Sequence, residues 1–345
     1  MSVLKKSLVV SAIAILAGGA HADSNAAYLE QTGNGNSASV SQLGSGARAG
    51  DNGLPGAIVQ NGNGNDIAIL QNNGGTAGAG GNYIHASKGI DQLGDNNTLA
   101  ITQTFGSRVF EVQQDATAAL SPSADPLNVV TITQTGNMAV SRVNQTYTGS
   151  GAAGTANEVS ITQTGSQYQL SRVGDSNGFS NEVLFGQDRG VFQSGESNSV
   201  SIVQQAANHA VLVAKQSGTG NALDVFQGGG HGNLLASSIQ SGSDNVADLY
   251  FSGGSNGQLG FSAGGAAEGA SVLSASLTQD GAANSVSLTV FGNENQFGFA
   301  QIGNGNTAAG TQTGDLNEIA VSQTGDLNIA VYAQLGTGNI AGIVQ

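Results

Sequence analysis

Residues 303–325 read GNGNTAAGTQTGDLNEIAVSQTG. Gly303, Gly314 and Gly325 stand 11 residues apart, as do Asn306 and Asn317, and Gln312 and Gln323. Working outward, the same step runs through Gly281, Gly292 and Gly336, through Asn284, Asn295, Asn328 and Asn339, and through Gln301, Gln334 and Gln345. A fixed short period means a stack of near-identical units, each touching only its neighbours.

The unit is Asn-x-Φ-x-Φ-x-Gln-x-Gly-x-x, where Φ is small or apolar. In 317–323 the odd positions are Asn317, Ile319, Val321 and Gln323, and the even ones are Glu318, Ala320 and Ser322. Alternation of period two is a strand with one buried face. An Asn is followed six residues later by a Gln fourteen times. The other copies are Asn25/Gln31, Asn36/Gln42, Asn65/Gln71, Asn97/Gln103, Asn128/Gln134, Asn157/Gln163, Asn181/Gln187, Asn198/Gln204 and Asn221/Gln227. The x-Gly-x-x that follows reads as a reversal with Gly at a positive φ. Recurrent Gly and β-branched residues exclude helix.

One strand and one turn take 11 residues, so two make a coil of 22. Stacked coils give an all-β parallel solenoid: two parallel sheets over a thin core, with like positions ~4.8 Å apart. Buried amides are costly alone. In a ladder each donates to one neighbour and accepts from the other, so the Asn and Gln are expected to face inward. About two dozen strands, or a dozen coils, predict a rod of roughly 55–60 Å. Ala139 stands where Asn is expected, and Phe251 and Val290 where Gln is expected.

Composition fits this reading. The chain has 54 Gly, 3 Pro, no Cys, no Trp and 9% charged residues. Low charge alone would suggest disorder, but a disordered chain needs no register. A net charge of −14 without a basic patch excludes nucleic acid as a partner. Lys5 and Lys6, the apolar run 8–17 and Ala20-His21-Ala22 read as a secretory leader over 1–22, leaving a solenoid over 23–345. The mature charge is then about −16, from 7 basic and 23 acidic residues. No later stretch is long and apolar enough to span a bilayer. Glycine-rich or polar inserts interrupt the pattern near 43–59, 72–81, 114–127, 146–156 and 252–270. Pro55, Pro122 and Pro126 lie inside them, where no ladder bond is lost. The repeat runs from Asn25 to Gln345 with no capping module, and uncapped ends expose unpaired backbone groups.

The tandem Asn-x5-Gln-x-Gly-x-x-Asn-x5-Gln resembles the curlin repeat of curli fibre subunits, secreted bacterial amyloids. Clear copies span 25–42, 295–312, 306–323, 317–334 and 328–345. The resemblance implies inward-stacked amides, a homopolymer assembled outside the cell at the bacterial surface, a nucleating homologous subunit and an outer-membrane export pore. This chain differs in placing Asn where that family commonly has Ser, and in its long inserts.

Other chemistry finds little support. His85, His209 and His231 share no metal-ligand spacing and read as isolated loop or surface residues. Asp315 and Asp326 read as solvated charges that slow association. Gly33-Asn34-Gly35 is turn sequence with no helix after it, so it is no nucleotide loop. No metal, cofactor or catalytic cluster is expected. Thr-Gln-Thr at 102–104, 133–135, 162–164 and 311–313 raises an ice-binding solenoid as a rival. The uneven spacing and the inward Gln argue against it. A monomeric secreted adhesin is the other alternative.

Overall fold

The computed structural model describes residues 13–18, 26–27, 29–43, 47–49, 58–72, 83–104, 107–116, 125–136, 138–149, 156–165, 171–173, 189–206, 208–257, 260–262 and 265–345. Two parallel sheets face each other. The first has 12 strands: Ile13–Gly18, Ser37–Leu43, Asp66–Asn72, Asn97–Thr104, Asn128–Thr135, Asn157–Thr164, Ser199–Gln205, Ala222–Gly229, Val246–Gly253, Ser285–Phe291, Thr307–Thr313 and Ile329–Leu335. The second is stacked as Ala26–Ala27, Arg48–Ala49, Tyr83–Leu93, Arg108–Asp115, Met138–Tyr147, Ser171–Val173, Ala210–Thr219, Leu234–Ser243, Ser276–Ala282, Gln296–Ile302, Glu318–Thr324 and Ile340–Val344. Leu29–Thr32, Ile58–Asn61 and Gly190–Glu196 complete its interrupted rungs.

The chain alternates between the sheets, one turn per crossing, so register follows the repeat. Gln301 pairs with Gln323, and Thr307 with Ile329. Burial alternates as a one-faced strand requires: Val130 and Ile132 are buried while Thr131 is exposed. The core is a single file of Val, Ile, Leu and Ala between the sheets. Phe251, Phe297 and Phe299 widen it toward the C-terminal coils. The one described helix, Ala266–Gly269, lies in the insert after Gly253. None of the described helices is long and apolar enough to cross a membrane.

Three placements differ from the sequence reading. Several second-sheet strands carry one extra residue, with seven steps from Asn233 to Gln240 against six from Asn317 to Gln323: Val211 pairs with Leu235, and pairing resumes at Val213 with Ser237. This irregularity puts Met138, not Ala139, at the buried position seven residues before Gln145. Gln114, Thr146 and Tyr147 belong to strands, so those inserts are shorter than their expected bounds. Within the expected leader, Ile13–Gly18 pairs in parallel with Ser37–Leu43.

Candidate functional site: the amide ladders

The turns bring the amides into line. Gly281, Gly292, Gly303, Gly314, Gly325 and Gly336 have φ between +102° and +127°. Two residues later a second left-handed position is filled by Gly305, Gly338, Ala283, Glu294, Leu316 or Leu327. This double reversal delivers each following Asn to the inside of the stack.

In the first sheet Asn36, Asn65, Asn97, Asn128, Asn157, Asn198, Asn221, Asn245, Asn284 and Asn306 are buried, and Asn328 half-buried. Asn306 shows the bonding. Its backbone N–H and Nδ2 donate to Oδ1 of Asn284 at 3.0 and 3.1 Å, and Nδ2 also reaches the Gly325 carbonyl at 2.8 Å. Asn233, Asn256, Asn295, Asn317 and Asn339 repeat this in the second sheet. The glutamines run the other way. Gln301 Nε2 donates to Gln323 Oε1 at 2.8 Å, and Gln323 Nε2 to Gln345 Oε1 at 2.8 Å. The Asn ladders therefore donate toward the N-terminal end and the Gln ladders toward the C-terminal end. In the second sheet each Nε2 from Gln60 onward also bonds across the core, as Gln323 does to the Thr307 carbonyl at 3.0 Å.

The second-sheet Gln ladder is unbroken through Gln31, Gln60, Gln92, Gln114, Gln145, Gln193, Gln216, Gln240, Gln279, Gln301, Gln323 and Gln345. The first-sheet ladder runs Gln42, Gln71, Gln103, Gln134, Gln163, Gln204, Gln227 and resumes at Gln312 and Gln334. Phe251 and Val290 fill the break, and Gln312 Oε1 is left buried without a partner. Asn25, Asn181 and Gln187 lie outside the described residues. Gln193 occupies the position between Gln145 and Gln216. Asn339 and Gln345, in the last rung, are exposed.

Reading for Asn-x5-Gln missed most of the second-sheet glutamines. The extra residue lengthens the spacing to seven from Asn233 to Gln240, and inserts separate Asn256 from Gln279. The shorter signal Gln-x-Gly finds many of them: Gln92, Gln193, Gln216, Gln240 and Gln279 each precede Gly by two.

His209 corrects the expectation of a surface histidine. It is fully buried and takes an Asn position above Asn233. Its Nδ1 accepts from the Asn233 N–H at 3.3 Å, so Nε2 carries the proton and donates to the Gln205 carbonyl at 2.7 Å. An imidazole thus reproduces both roles of an Asn amide. Burial holds its pKa below the ordinary value; the Gln205 bond raises it, and the nearby His231 lowers it. A depressed histidine stabilises the fold in its neutral form. That contribution is fully present above the unfolded value of about 6.5 and is lost as pH falls below it, because the unfolded chain then binds the proton more readily. His209→Asn should therefore flatten the fall in urea midpoint between about pH 7.5 and 5. An unchanged pH slope would remove His209 from the ladder.

Two surface features also depart from expectation. Asp315 and Asp326 are exposed but bonded: Asp315 Oδ1 accepts from Asn293 N and Nδ2 at 2.8 and 3.1 Å, and Asp326 does the same for Asn304. They end an outer ladder along the turns. The unevenly spaced threonines come into register, Thr133 between Thr102 and Thr162, and Thr135 between Thr104 and Thr164. Inserts absorb the difference in spacing. The row covers three rungs and is bounded by Leu70 and Val203.

A two-sheet parallel stack held by side-chain amide ladders defines a parallel β-solenoid. Residues 21–44, which contain Asn25, Gln31, Asn36 and Gln42, match the family model described as curlin associated repeat. Comparison with the curated proteins finds no match.

Proposed function

We propose that this chain is an extracellular fibre subunit of the curli type, with a structural and not a catalytic role. In this reading 1–22 is removed on export, which uncovers the edge of Ser37–Leu43 now paired with Ile13–Gly18. Mature chains then add end to end at the bacterial surface, as part of a biofilm matrix. A nucleating subunit and an outer-membrane pore are the partners that the family resemblance suggests.

One observation carries the reading. Successive rungs present one another with the same backbone groups and, in the second sheet, an unbroken row of glutamines, and Ile329–Leu335 and Ile340–Val344 have a neighbour strand on one side. Because the Asn and Gln ladders have opposite polarity, the two ends differ and complement each other. Head-to-tail pairing places Gln345 of one copy against Gln31 of the next and so continues the second-sheet Gln ladder. The negative charge keeps early encounters infrequent at low salt.

Proline at Ile340 tests the edge, since the Ile340 N–H faces the open side, whereas the strand's odd-numbered residues bond back into the chain, as Gln345 N does to the Ser322 carbonyl at 2.9 Å. Elongation of wild-type seeds, followed by dye fluorescence and microscopy, should stop. Variants that elongate seeds at the wild-type rate would show that this edge does not dock. A wild-type chain that stays monomeric at raised salt would favour the adhesin reading.

A further inference from the structure

The insert after Gly253 does not hang from its turn. Residues 260–262 and 265–274 run along the stack on the outer face of the second sheet, over three successive rungs. The positions beneath are Gly298, Ala320 and Gly342, paired in register. A Cβ on Gly298 would lie 2.5 Å from the Leu273 carbonyl, and one on Gly342 would lie 2.0 Å from that of Ala266. Ala320 is fully buried against Ala267 and Ala270, with Phe261 and Val272 packed around them. Two polar ties fix the segment. The Ser262 N–H and hydroxyl donate to the Glu318 carboxylate, which is itself buried, the N–H at 3.1 Å. Ser274 Oγ donates to Gln296 Oε1 at 3.0 Å.

An edge strand has half the ladder bonds of an interior one and frays first. Ile340–Val344 is such a strand, and Ala266–Gly269 packs on its outer face while also touching Glu318–Thr324. Outward side chains larger than Gly or Ala at these three positions would keep the segment off. We infer that the segment is a built-in brace that holds Ile340–Val344 in register and so presents it, preformed, to a second copy of this chain. The brace stands on these contacts alone; its use in growth rests on the fibre reading.

Gly342→Ala and Ser262→Ala test it. Gly342 lies in a strand at an ordinary φ, where Ala is otherwise favoured over Gly, so loosening there would come from the lifted brace. Hydrogen exchange on the soluble mature chain should show amides of Ile340–Val344 exchanging about tenfold faster in Gly342→Ala and severalfold faster in Ser262→Ala, with Asn128–Thr135 unchanged. Elongation of wild-type seeds by each variant should slow in the same order. Unchanged exchange at Ile340–Val344 in both variants overturns the brace. Faster exchange with undiminished elongation overturns its role in presenting the edge. Failure of the wild-type chain to elongate at all is a different result and counts against the fibre reading itself.

Discussion

Gly303→Ala lowers the stability of the soluble chain by about 3 kcal/mol or more, whereas Gly336→Ala costs only about 1–2 kcal/mol and yet stops fibre growth. Both glycines sit at the same point of the turn, at φ +119° and +104°, so the backbone strain of an added Cβ is shared and cancels between them. What differs is the next rung. A Cβ on Gly303 would lie 2.1 Å from the Gly325 carbonyl, a contact with backbone that no rotamer relieves. Above Gly336 the nearest atom is Asn339 Nδ2 at 3.8 Å. In a head-to-tail junction the arriving turn would meet the new methyl as Gly325 would meet one on Gly303. A penalty above ~1.4 kcal/mol at that step slows elongation more than about tenfold. Urea melts and seeded growth of the two variants check this. Equal stability loss would mean that the turn glycines do not stack; normal growth of Gly336→Ala would mean that the C-terminal face is not the junction.

Gln323→Ala is expected to cost about 2–4 kcal/mol, against about 0.5 kcal/mol or less for its neighbour Ser322→Ala. Gln323 is fully buried, accepts from Gln301, and donates both to Gln345 and across the core to Thr307. Its removal leaves polar partners without their bond in a space that water does not fill, and the missing methylenes leave a cavity. Ser322 lies on the outer face, half-buried, so its hydroxyl is replaced by water at little cost. Equal shifts in denaturant midpoint would contradict the inward amides.

The physics of the repeat explains which parts could be read from residues alone. Where rungs follow at 11 residues, as from Gly281 to Gln345, strand, turn and inward face are each set by a local signal: alternation, a glycine and a β-branched run. The second-sheet glutamines from Gln60 to Gln279 are harder to read, because an extra residue in several strands and the inserts break the Asn-to-Gln spacing while leaving the spatial register intact. His209 was illegible because its role depends on which groups face it, and nothing in the local sequence says that Asn233 lies above its Nδ1. The brace was illegible for a related reason. Gly298, Ala320 and Gly342 look like ordinary small residues on an outer face until residues 260–262 and 265–274 are placed across them. The threonines illustrate the reverse case: spacing in the chain argued against a row that register creates.

Mass per unit length of fibres grown from the mature chain tests the central claim most directly. Without residues 1–22 the chain keeps eleven rungs in the first sheet and twelve in the second, which at ~4.8 Å per rung set a segment of roughly 55–60 Å, so head-to-tail stacking predicts one chain per that length in a single filament. Scanning transmission electron microscopy of unstained filaments measures the quantity. A single filament at one chain per roughly 55–60 Å is the predicted result. One chain per ~4.8 Å, the value for flat chains stacked in register on copies of themselves, would be about twelvefold heavier and would contradict a solenoid that carries its ladders within each chain.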